Sequence, residues 1–406
     1  MAIAYADDAQ RPLPQGPCDL VCDVHVIQQA SDLDRLIRAW ADTFGEAAGD
    51  AWRELEAAAH APTIFTSFAW TRHVIKHRED GLETAAIIAA IHDGQRLMAL
   101  WPLALQRLGH LNVVTSLGAP FDQYAGTLIH GDADVERLMA EMVRAVRQRV
   151  RADGMVLRKA KTTGVLFRGM ARDAQVIDAG AQAPQISFST DAPFTDFMGT
   201  VNAKTRKNLR NYTNRLARLG ALENKVVQGH HVADLIAESF ATRRTWLNDK
   251  GLSSEAFRDS GFKAFVDGLA AAEHNDLGLI GFAMQLDGQP IALQWGFVYR
   301  GCYYAYLSSR DPAFESFSVG RIHLQHILEA CHARGIGKLD LMVPAVPYKM
   351  SWTKHADDVV DLVVPWTLKG QLVLRGYEQH ARPRLKAIAG RLPSPVRKRL
   401  FGWANQ

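Results

Sequence analysis

The sequence contains few cysteines, no long apolar run and little net charge. Four cysteines occur among 406 residues, and the formal net charge is +4. So few cysteines argue against a disulfide-rich scaffold and favour a reducing compartment. The apolar run at 85–91 is far shorter than the roughly 20 residues that a membrane-spanning helix needs. The net charge is modest, but its distribution is uneven, because the end of the chain is strongly basic.

Two further absences concern metal sites and targeting. Cys18 and Cys22 lie close together, but no matching pair of Cys or His completes a zinc pattern, so we expect no metal. The first residues, MAIAYADDAQRPLPQGP, contain no basic stretch followed by an apolar one, as a signal peptide would. We therefore expect a cytoplasmic protein in which residues 1–22 form a flexible leader.

The chain that follows predicts two successive units with the same order of elements. In each unit an Asp-Gly turn, at 93–94 and at 287–288, separates two apolar strands, which is typical of a hairpin. The letters around the turns are similar, IHDGQRLMA at 91–99 and QLDGQPIAL at 285–293. A helix and a short buried strand follow in both units. This order favours a duplication over the chance match of a common turn.

The two units are predicted as an α/β (α+β) fold over residues 23–180 and 184–368. Each is expected to contain a mixed, mostly antiparallel sheet flanked by helices. Residues 175–196, rich in Ala, Pro, Ser and Asp, are interpreted as the linker between them. Amphipathic periodicity predicts further helices at 31–44, 135–151 and 319–334.

A basic tail is predicted at 369–406. From residue 370 onward it contains eight basic residues and one acidic residue, interspersed with apolar side chains. A basic amphipathic segment of this kind suits an anionic membrane surface. Packing of its apolar residues on the second unit is an equally good interpretation. The first interpretation would place the protein at the inner face of the cytoplasmic membrane.

Two segments could approach an anionic ligand. The turn Ser318, Val319, Gly320 and Arg321 leads into a helix, whose free N–H groups and dipole attract negative charge. The segment NAKTRKNLRNYTNRLARLG, residues 202–220, predicts an amphipathic helix with a strongly basic face.

The basic face of that helix has three interpretations. Lys204 and Arg206 belong to its first cluster of cations, and arginine forks suit phosphate geometry. A solvated basic face is the more ordinary explanation of such a run. Contact with nucleic acid is the third, but one basic helix without interleaved surface aromatics supports it weakly, so we expect no nucleic-acid partner.

Several motifs together resemble the CelD-like acyltransferases of the GNAT superfamily, which are related to FemAB and FemX. They are KTRKNLRNYTNRLARLG, SVGR, LDLMVPAVPYKMSW, IFTSFAW and LGAPFDQYAG. The resemblance implies tandem GNAT-like units, with acyl-CoA bound by the second as co-substrate. The family includes bacterial ceramide synthase-like enzymes, which acylate a sphingoid-base amine, and proteins linked to exopolysaccharide synthesis.

The resemblance also implies roles for individual residues. Ser318 to Arg321 match the diphosphate-binding turn, although only Gly320 of its glycines is present. Lys349 matches a lysine near the reacting carbonyl and is expected to stabilise the oxyanion, and Asp340 matches an acidic position of the family. The turn before the Tyr-Lys pair is Val-Pro-Ala, at 343–345, instead of a Gly-Asp-Glu-like one, which favours an apolar acceptor.

No general base stands out among the candidates. Asp340 is either the base or a structural carboxylate. His323 shares a helix face with His326, and packing is the more ordinary explanation for both. Tyr348 either positions the substrate or ends the strand.

The favoured function is acyl-CoA-dependent N-acylation of a long-chain, lipid-like amine such as a sphingoid base. One alternative is acyl or aminoacyl transfer to a sugar or cell-envelope precursor amine in exopolysaccharide synthesis. The other is a non-catalytic accessory protein that retains the fold.

Overall fold

The structure is a computed structural model that describes residues 20–44, 50–78, 85–250, 260–271, 276–374 and 376. Most of the predicted leader and most of the basic tail therefore lie outside the described residues. Among the described helices, none combines the length and the apolar composition that a membrane crossing needs.

In the described part of the chain, thirteen strands form a single sheet. The strands are β1 Val21–Ile27, β2 Ala86–His92, β3 Leu97–Leu108, β4 Leu111–Ser116, β5 Leu128–Ile129, β6 Gly154–Lys161, β7 Gln175–Ser187, β8 Leu222–Val227, β9 Leu279–Leu286, β10 Gln289–Tyr299, β11 Cys302–Arg310, β12 Lys338–Asp340 and β13 Ala356–Pro365.

Twelve α-helices pack against the sheet in the described part of the chain. They are α1 Ala30–Phe44, α2 Asp50–Ala58, α3 Phe68–Arg78, α4 Val135–Arg149, α5 Val165–Met170, α6 Phe194–Thr200, α7 Ala203–Leu216, α8 Val232–Lys250, α9 Ser260–Ala271, α10 Val319–His332, α11 Pro347–Met350 and α12 Leu368–Leu374.

The order of strands across the sheet is β1-β2-β3-β4-β6-β13-β7-β12-β11-β10-β9-β8, with β5 beside β3. The pairs β4–β6 and β11–β12 are parallel, and the other strand pairs are antiparallel. A parallel pair needs a crossover connection, and here α4 and α10 provide it. The predicted tandem fold with a mixed, mostly antiparallel sheet is confirmed.

The two predicted hairpins are present. β2 pairs with β3, and β9 pairs with β10, each around its Asp-Gly turn. Gly94 and Gly288 have φ angles of 86° and 78°, the left-handed region that glycine enters at little cost. The sequence signal was reliable here because the turn chemistry and the apolar strands agree.

The predicted linker at 175–196 is wrong over 175–187, which forms β7. This strand lies inside the sheet, between β13 and β12. Its sequence, QVIDAGAQAPQIS, contains Ala, Gly and Pro, which are poor strand formers. Pairing along both edges overrides this weak propensity, and the carbonyl of Pro184 accepts a hydrogen bond from the N–H of Leu341.

The two halves of the chain share one hydrophobic core on one face of the sheet. It buries side chains of α1, α2, α3, α8 and α9. Trp70 of α3 contacts Phe265 of α9 and Phe297 of β10 edge to face, at centroid distances of 5.2 and 5.5 Å. On the other face α4 and α5 cover the first half, while α10 covers the second.

Candidate active site

Strands β11 and β12 separate in the second half of the sheet. Their parallel pairing runs from Cys302 with Lys338 to Tyr304 with Asp340. Beyond this point β11 continues to Arg310 beside β10, while the chain after Asp340 leaves the ladder. The edge of β11 therefore faces an opening. Backbone groups along such an edge can hydrogen-bond an extended ligand.

A bulge in β11 lies at this opening. Trp295 is opposite Leu307, whereas Phe297 is opposite Tyr304, so β11 has one additional residue in between. Gly296 faces the bulge, and a Cβ there would collide with the carbonyl of Tyr304. Bulges bend a strand and redirect its side chains, and they are frequent next to active sites.

The opening leads into a cleft of ≈ 760 Å³, a size typical of small-molecule sites. The first half of the chain contributes Pro120, Gln123 and Lys159 to its wall, so both halves build it. Much of the remaining wall is apolar, including Phe262, Leu307, Leu324, Leu341, Met342 and Val343.

The charged side chains that line the cleft are all cationic. They are Lys159, Arg243, Arg310 and Lys349. No Asp or Glu is among the described residues of this wall. A cleft lined by one sign of charge attracts ligands of the opposite sign.

Lys349 lies on α11 at the wall of the cleft. Its Nζ donates hydrogen bonds to the carbonyls of Leu341, at 2.6 Å, and Met342, at 3.0 Å. Burial lowers the pKa of Lys349 to about 8, although the negative charge of Asp340 acts in the opposite direction. Because an ammonium group has three donors, one N–H remains for a ligand.

Arg243 of α8 and Arg310 at the end of β11 reach the same part of the cleft. The Arg243 guanidinium lies 4.3 Å from the ring centre of Trp246, and that of Arg310 lies 5.9 Å from the ring centre of Tyr348. Burial, together with the charge of Arg310, lowers the pKa of Arg243. Burial raises the pKa of Tyr348, which the two arginines partly oppose. The two arginines were not predicted, since only tertiary folding brings them together.

The predicted donor turn is next to Arg310. Ser318 has a φ of 53°, and α10 begins at Val319, whose side chain is buried. A Cβ on Gly320 would lie 3.2 Å from Nη1 of Arg310, so this guanidinium reaches the first turn of α10. Arg321 is half-buried on the same turn.

Lys204 and Arg206 lie elsewhere. Lys204 is exposed, and Nη1 of Arg206 donates to the carbonyls of Met198 and Gly199 at the end of α6. The opposite end of α7 approaches the donor turn, because the Arg215 guanidinium lies 5.0 Å from the ring centre of Phe317. The structure thus does not bring Lys204 and Arg206 together with the turn.

Asp340 is 1% exposed and accepts hydrogen bonds at both oxygens. Tyr124 and the N–H of Met342 donate to Oδ1, and Lys161 and Gln185 donate to Oδ2. This arrangement favours a structural carboxylate over a base.

His323 is also buried, and burial lowers its pKa to about 3, so its ring is neutral. Its Nε2 has no hydrogen-bond partner among the described residues, and His323 lines a smaller recess that adjoins the cleft and shares Arg243 and Arg310 with it. Among the described residues, no group of three or more His, Cys, Asp or Glu lies together as a metal site.

Residues 203–350 match the family model described as acetyltransferase (GNAT) domain. The match supports an acyltransferase whose second half is similar to a GNAT domain. The GNAT domain implies a CoA thioester as the acyl donor, and it contains β11, α10, β12 and Lys349. No curated protein sequence matches the chain.

Solved structures share the fold of most of the chain at low sequence identity. FemX is 9% identical, with a TM-score of 0.56, over 82% of this chain and 98% of its own. The C-terminal domain of a putative lysylphosphatidylglycerol synthetase from Agrobacterium fabrum is 13% identical, with a TM-score of 0.50, over 80% of this chain and 95% of its own. At these identities the likeness establishes the fold alone.

Proposed function

We propose that the protein is an acyl-CoA-dependent N-acyltransferase of the CelD-like group, which acylates a long-chain amine such as a sphingoid base. The observation that carries the proposal is the opening between β11 and β12, with the Lys349 ammonium at its wall. A thioester is an extended, uncharged group with one polar carbonyl. Such a group fits an opening that offers backbone hydrogen bonds on one side and a cation at its wall.

The proposed donor turn comprises Ser318 and the first residues of α10. We assign the diphosphate of the donor to Ser318, Val319, Gly320 and Arg321, where the first-turn N–H groups and the helix dipole favour anions. From there the pantetheine arm follows the free edge of β11 towards Lys349. Lys204 and Arg206 remain predictions for this site, without a contact that supports them.

The reaction forms a C–N bond and breaks the C–S bond of the thioester. A neutral amine attacks the carbonyl, and negative charge develops on its oxygen. The ammonium of Lys349 stabilises that charge, an effect worth about 3–4 kcal/mol for one donor in other enzymes. The thiolate leaves, and the amine proton passes to it through water, since Asp340 is saturated with hydrogen bonds.

Two features support a lipid-like acceptor. The apolar wall of the cleft offers contacts for alkyl chains. One protein of similar fold is described as part of a lysylphosphatidylglycerol synthetase, whose name refers to a lipid. The basic tail at 369–406, as an anchor to an anionic membrane surface, completes the proposal.

Purified full-length protein tests the proposal. With palmitoyl-CoA and sphinganine, or its 3-keto form, we expect release of free thiol and formation of an amide. A thiol reagent measures the first product, and mass spectrometry measures the second. Absence of both products with long-chain donors would refute the lipid substrate.

A second candidate is acylation of a sugar or cell-envelope precursor amine. The four cations of the cleft favour it, since such precursors often carry phosphate. Turnover with short acyl donors or aminoacyl-tRNA, and none with palmitoyl-CoA, would identify this function instead.

A further inference from the structure

Two arginines face the cleft without a counter-ion. Arg243 and Arg310 line it together, and in the part of the chain that the structure describes neither forms an ion pair with an acidic side chain. Other exposed or half-buried arginines of this protein do form such pairs, for example Arg158 with Asp361 at 3.2 Å. What distinguishes Arg243 and Arg310 is that both lie on one wall, and no Asp or Glu is among the described residues of that wall.

Placing two like charges close together is unfavourable without a ligand. Their repulsion contributes to the lowered pKa of Arg243, in addition to burial. Each guanidinium lies beside an aromatic ring, Trp246 for Arg243 and Tyr348 for Arg310, which partly compensates for the lost hydration. A bound anion would remove the repulsion and supply the missing acceptors.

The surroundings provide further polar groups for an anion. Gln294 and Ser308 line the same recess as the two arginines, and Gly320 brings the first turn of α10 next to Arg310. The absence of a side chain on Gly320 leaves room for the guanidinium at the helix N-terminus. Fork-shaped guanidinium groups bind the oxygens of phosphate in pairs.

We propose that Arg243 and Arg310 form a two-arginine clamp for one phosphate or diphosphate group of a substrate. This inference rests on the proposed function in one respect, because the substrate is either the CoA donor or the acceptor. The diphosphate of CoA is one source of the anion, and a phosphorylated acceptor is the other. The two sources predict different results in competition. CoA should displace a free anion from the two arginines only if they bind the CoA diphosphate.

Inorganic pyrophosphate is the probe, and isothermal titration calorimetry with the full chain is the measurement. We expect the wild-type protein to bind it, and Arg243→Gln and Arg310→Gln each to weaken binding by about tenfold or more. Arg244→Gln is the matched control, since Arg244 is the next residue on α8, is exposed and stacks on Phe240 instead. The Arg244→Gln variant should bind pyrophosphate with the same affinity as the wild type.

Competition with CoA identifies the source of the anion. If saturating CoA abolishes pyrophosphate binding, the clamp holds the donor diphosphate. Pantetheine, which lacks phosphate, should then bind the wild-type and variant proteins equally. If pyrophosphate binds in the presence of CoA, the clamp belongs to the acceptor. An acceptor with phosphate would replace the free sphingoid base, which is a cation, as the favoured substrate.

Two results would overturn the clamp. One is equal affinity for pyrophosphate in the wild type, Arg243→Gln and Arg310→Gln, and the other is no binding of pyrophosphate by a wild type that binds CoA. Pyrophosphate binding that depends on both arginines, in a protein that neither binds CoA nor releases thiol, would instead support the clamp and refute the proposed function. Arg310→Lys, which keeps the charge but loses the fork, should bind with intermediate affinity.

Discussion

In each half of the molecule two parallel strands pair over a few residues and then separate. The gap between the separated strands is filled by the chain in the first half and open in the second. In the first half β4 and β6 pair at Val113 with Gly154 and at Val114 with Met155, and then separate. Further along β6, Ala125 forms a parallel bridge with Ala160, in the place that β4 has left. In the second half, the edge of β11 beyond Tyr304 faces the cleft instead.

The difference lies in where the chain goes after the first strand of each pair. After β4, residues 117–126 turn back into the opening and bury Leu117, Phe121 and Tyr124. After β11, the chain forms a 3-10 turn at Pro312–Phe317 and continues into α10. The same strand geometry thus becomes hydrophobic core when the chain fills it and a ligand site when the chain does not.

The residues that fill the gap in the first half also form hydrogen bonds to the strands that border the open gap in the second half. The Tyr124 hydroxyl donates to Oδ1 of Asp340 at 2.6 Å, and the Tyr306 hydroxyl donates to the carbonyl of Phe121 at 2.9 Å. Lys161, at the end of β6, contacts Asp340 at 2.7 Å and Asp357 at 3.1 Å. The first half therefore positions β12, from which the wall of the cleft begins.

Among changes to the contacts between the first half and β12, Lys161→Met should have the largest effect on stability. It leaves the buried Asp340 carboxylate without its cation, which costs about 3–5 kcal/mol in the free energy of unfolding. Urea denaturation measures the loss. Lys225→Met, which breaks an exposed pair with Glu223, should cost no more than about 1 kcal/mol. Equal losses of unfolding free energy in the two variants would show that the contacts of Lys161 with Asp340 and Asp357 do not stabilise the junction between the two halves.

Lys349→Ala should abolish most of the activity without affecting the first half. Removal of one oxyanion donor lowers kcat by about 10²–10³-fold in other enzymes. Thiol release with saturating acyl-CoA measures the effect. Lys354→Ala is the control, because Lys354 is exposed and lies shortly after α11. Full activity of Lys349→Ala would remove the proposed oxyanion role.

Tyr124→Phe tests how much the hydrogen bond from the first half to Asp340 of β12 contributes to stability. The change removes a hydrogen bond to a charged group, for which we expect a loss of about 1.5–3 kcal/mol of unfolding free energy. Tyr306→Phe removes a bond to a neutral carbonyl and should cost about 0.5–1.5 kcal/mol. The reverse order of these two losses would contradict the assignment of Asp340 as the main connection.

The smallest expected effect concerns the pH profile of thiol release. Replacing Lys349 by another cation should change the shape of this profile more than the maximal rate. Because the pKa of Lys349 is lowered to about 8, the group is protonated below that pH and loses its charge above it. The contribution of Lys349 to thiol release should therefore fall as pH rises through about 8, against the rise that both proteins gain as more of the amine becomes neutral. Lys349→Arg keeps its charge in this range, so its lower activity should show no such fall. A fall of the same midpoint in both proteins would assign the titration to another group.

The elements that the sequence predicts well are those with local signals. The two Asp-Gly hairpins, and the helices at 135–149 and 319–332, combine turn or helix periodicity with burial on one face. Lys349 was found from a motif of adjacent residues, Pro-Tyr-Lys, and the structure places it at the cleft. Whether it acts there remains a prediction.

The elements that were missed depend on distant partners. β7 has a weak strand propensity and forms because β12 and β13 pair along its two edges. Arg243 and Arg310 are single residues on separate elements, without a local pattern that marks them. The hydrogen bonds that satisfy Asp340 come largely from the first half, so its sequence neighbours do not distinguish a base from a structural carboxylate.

Strand β13 also has a consequence for how the chain folds during synthesis. It lies between β6 and β7, although about 195 residues separate β6 from it along the chain. As the ribosome releases the protein from its N-terminus, β6 has an unpaired edge until Pro365 has emerged. The first half cannot complete its part of the sheet before the GNAT domain is fully translated. Chaperone protection should therefore be needed until late in translation, and a nascent chain stalled before β13 should expose the edges of β6 and β7.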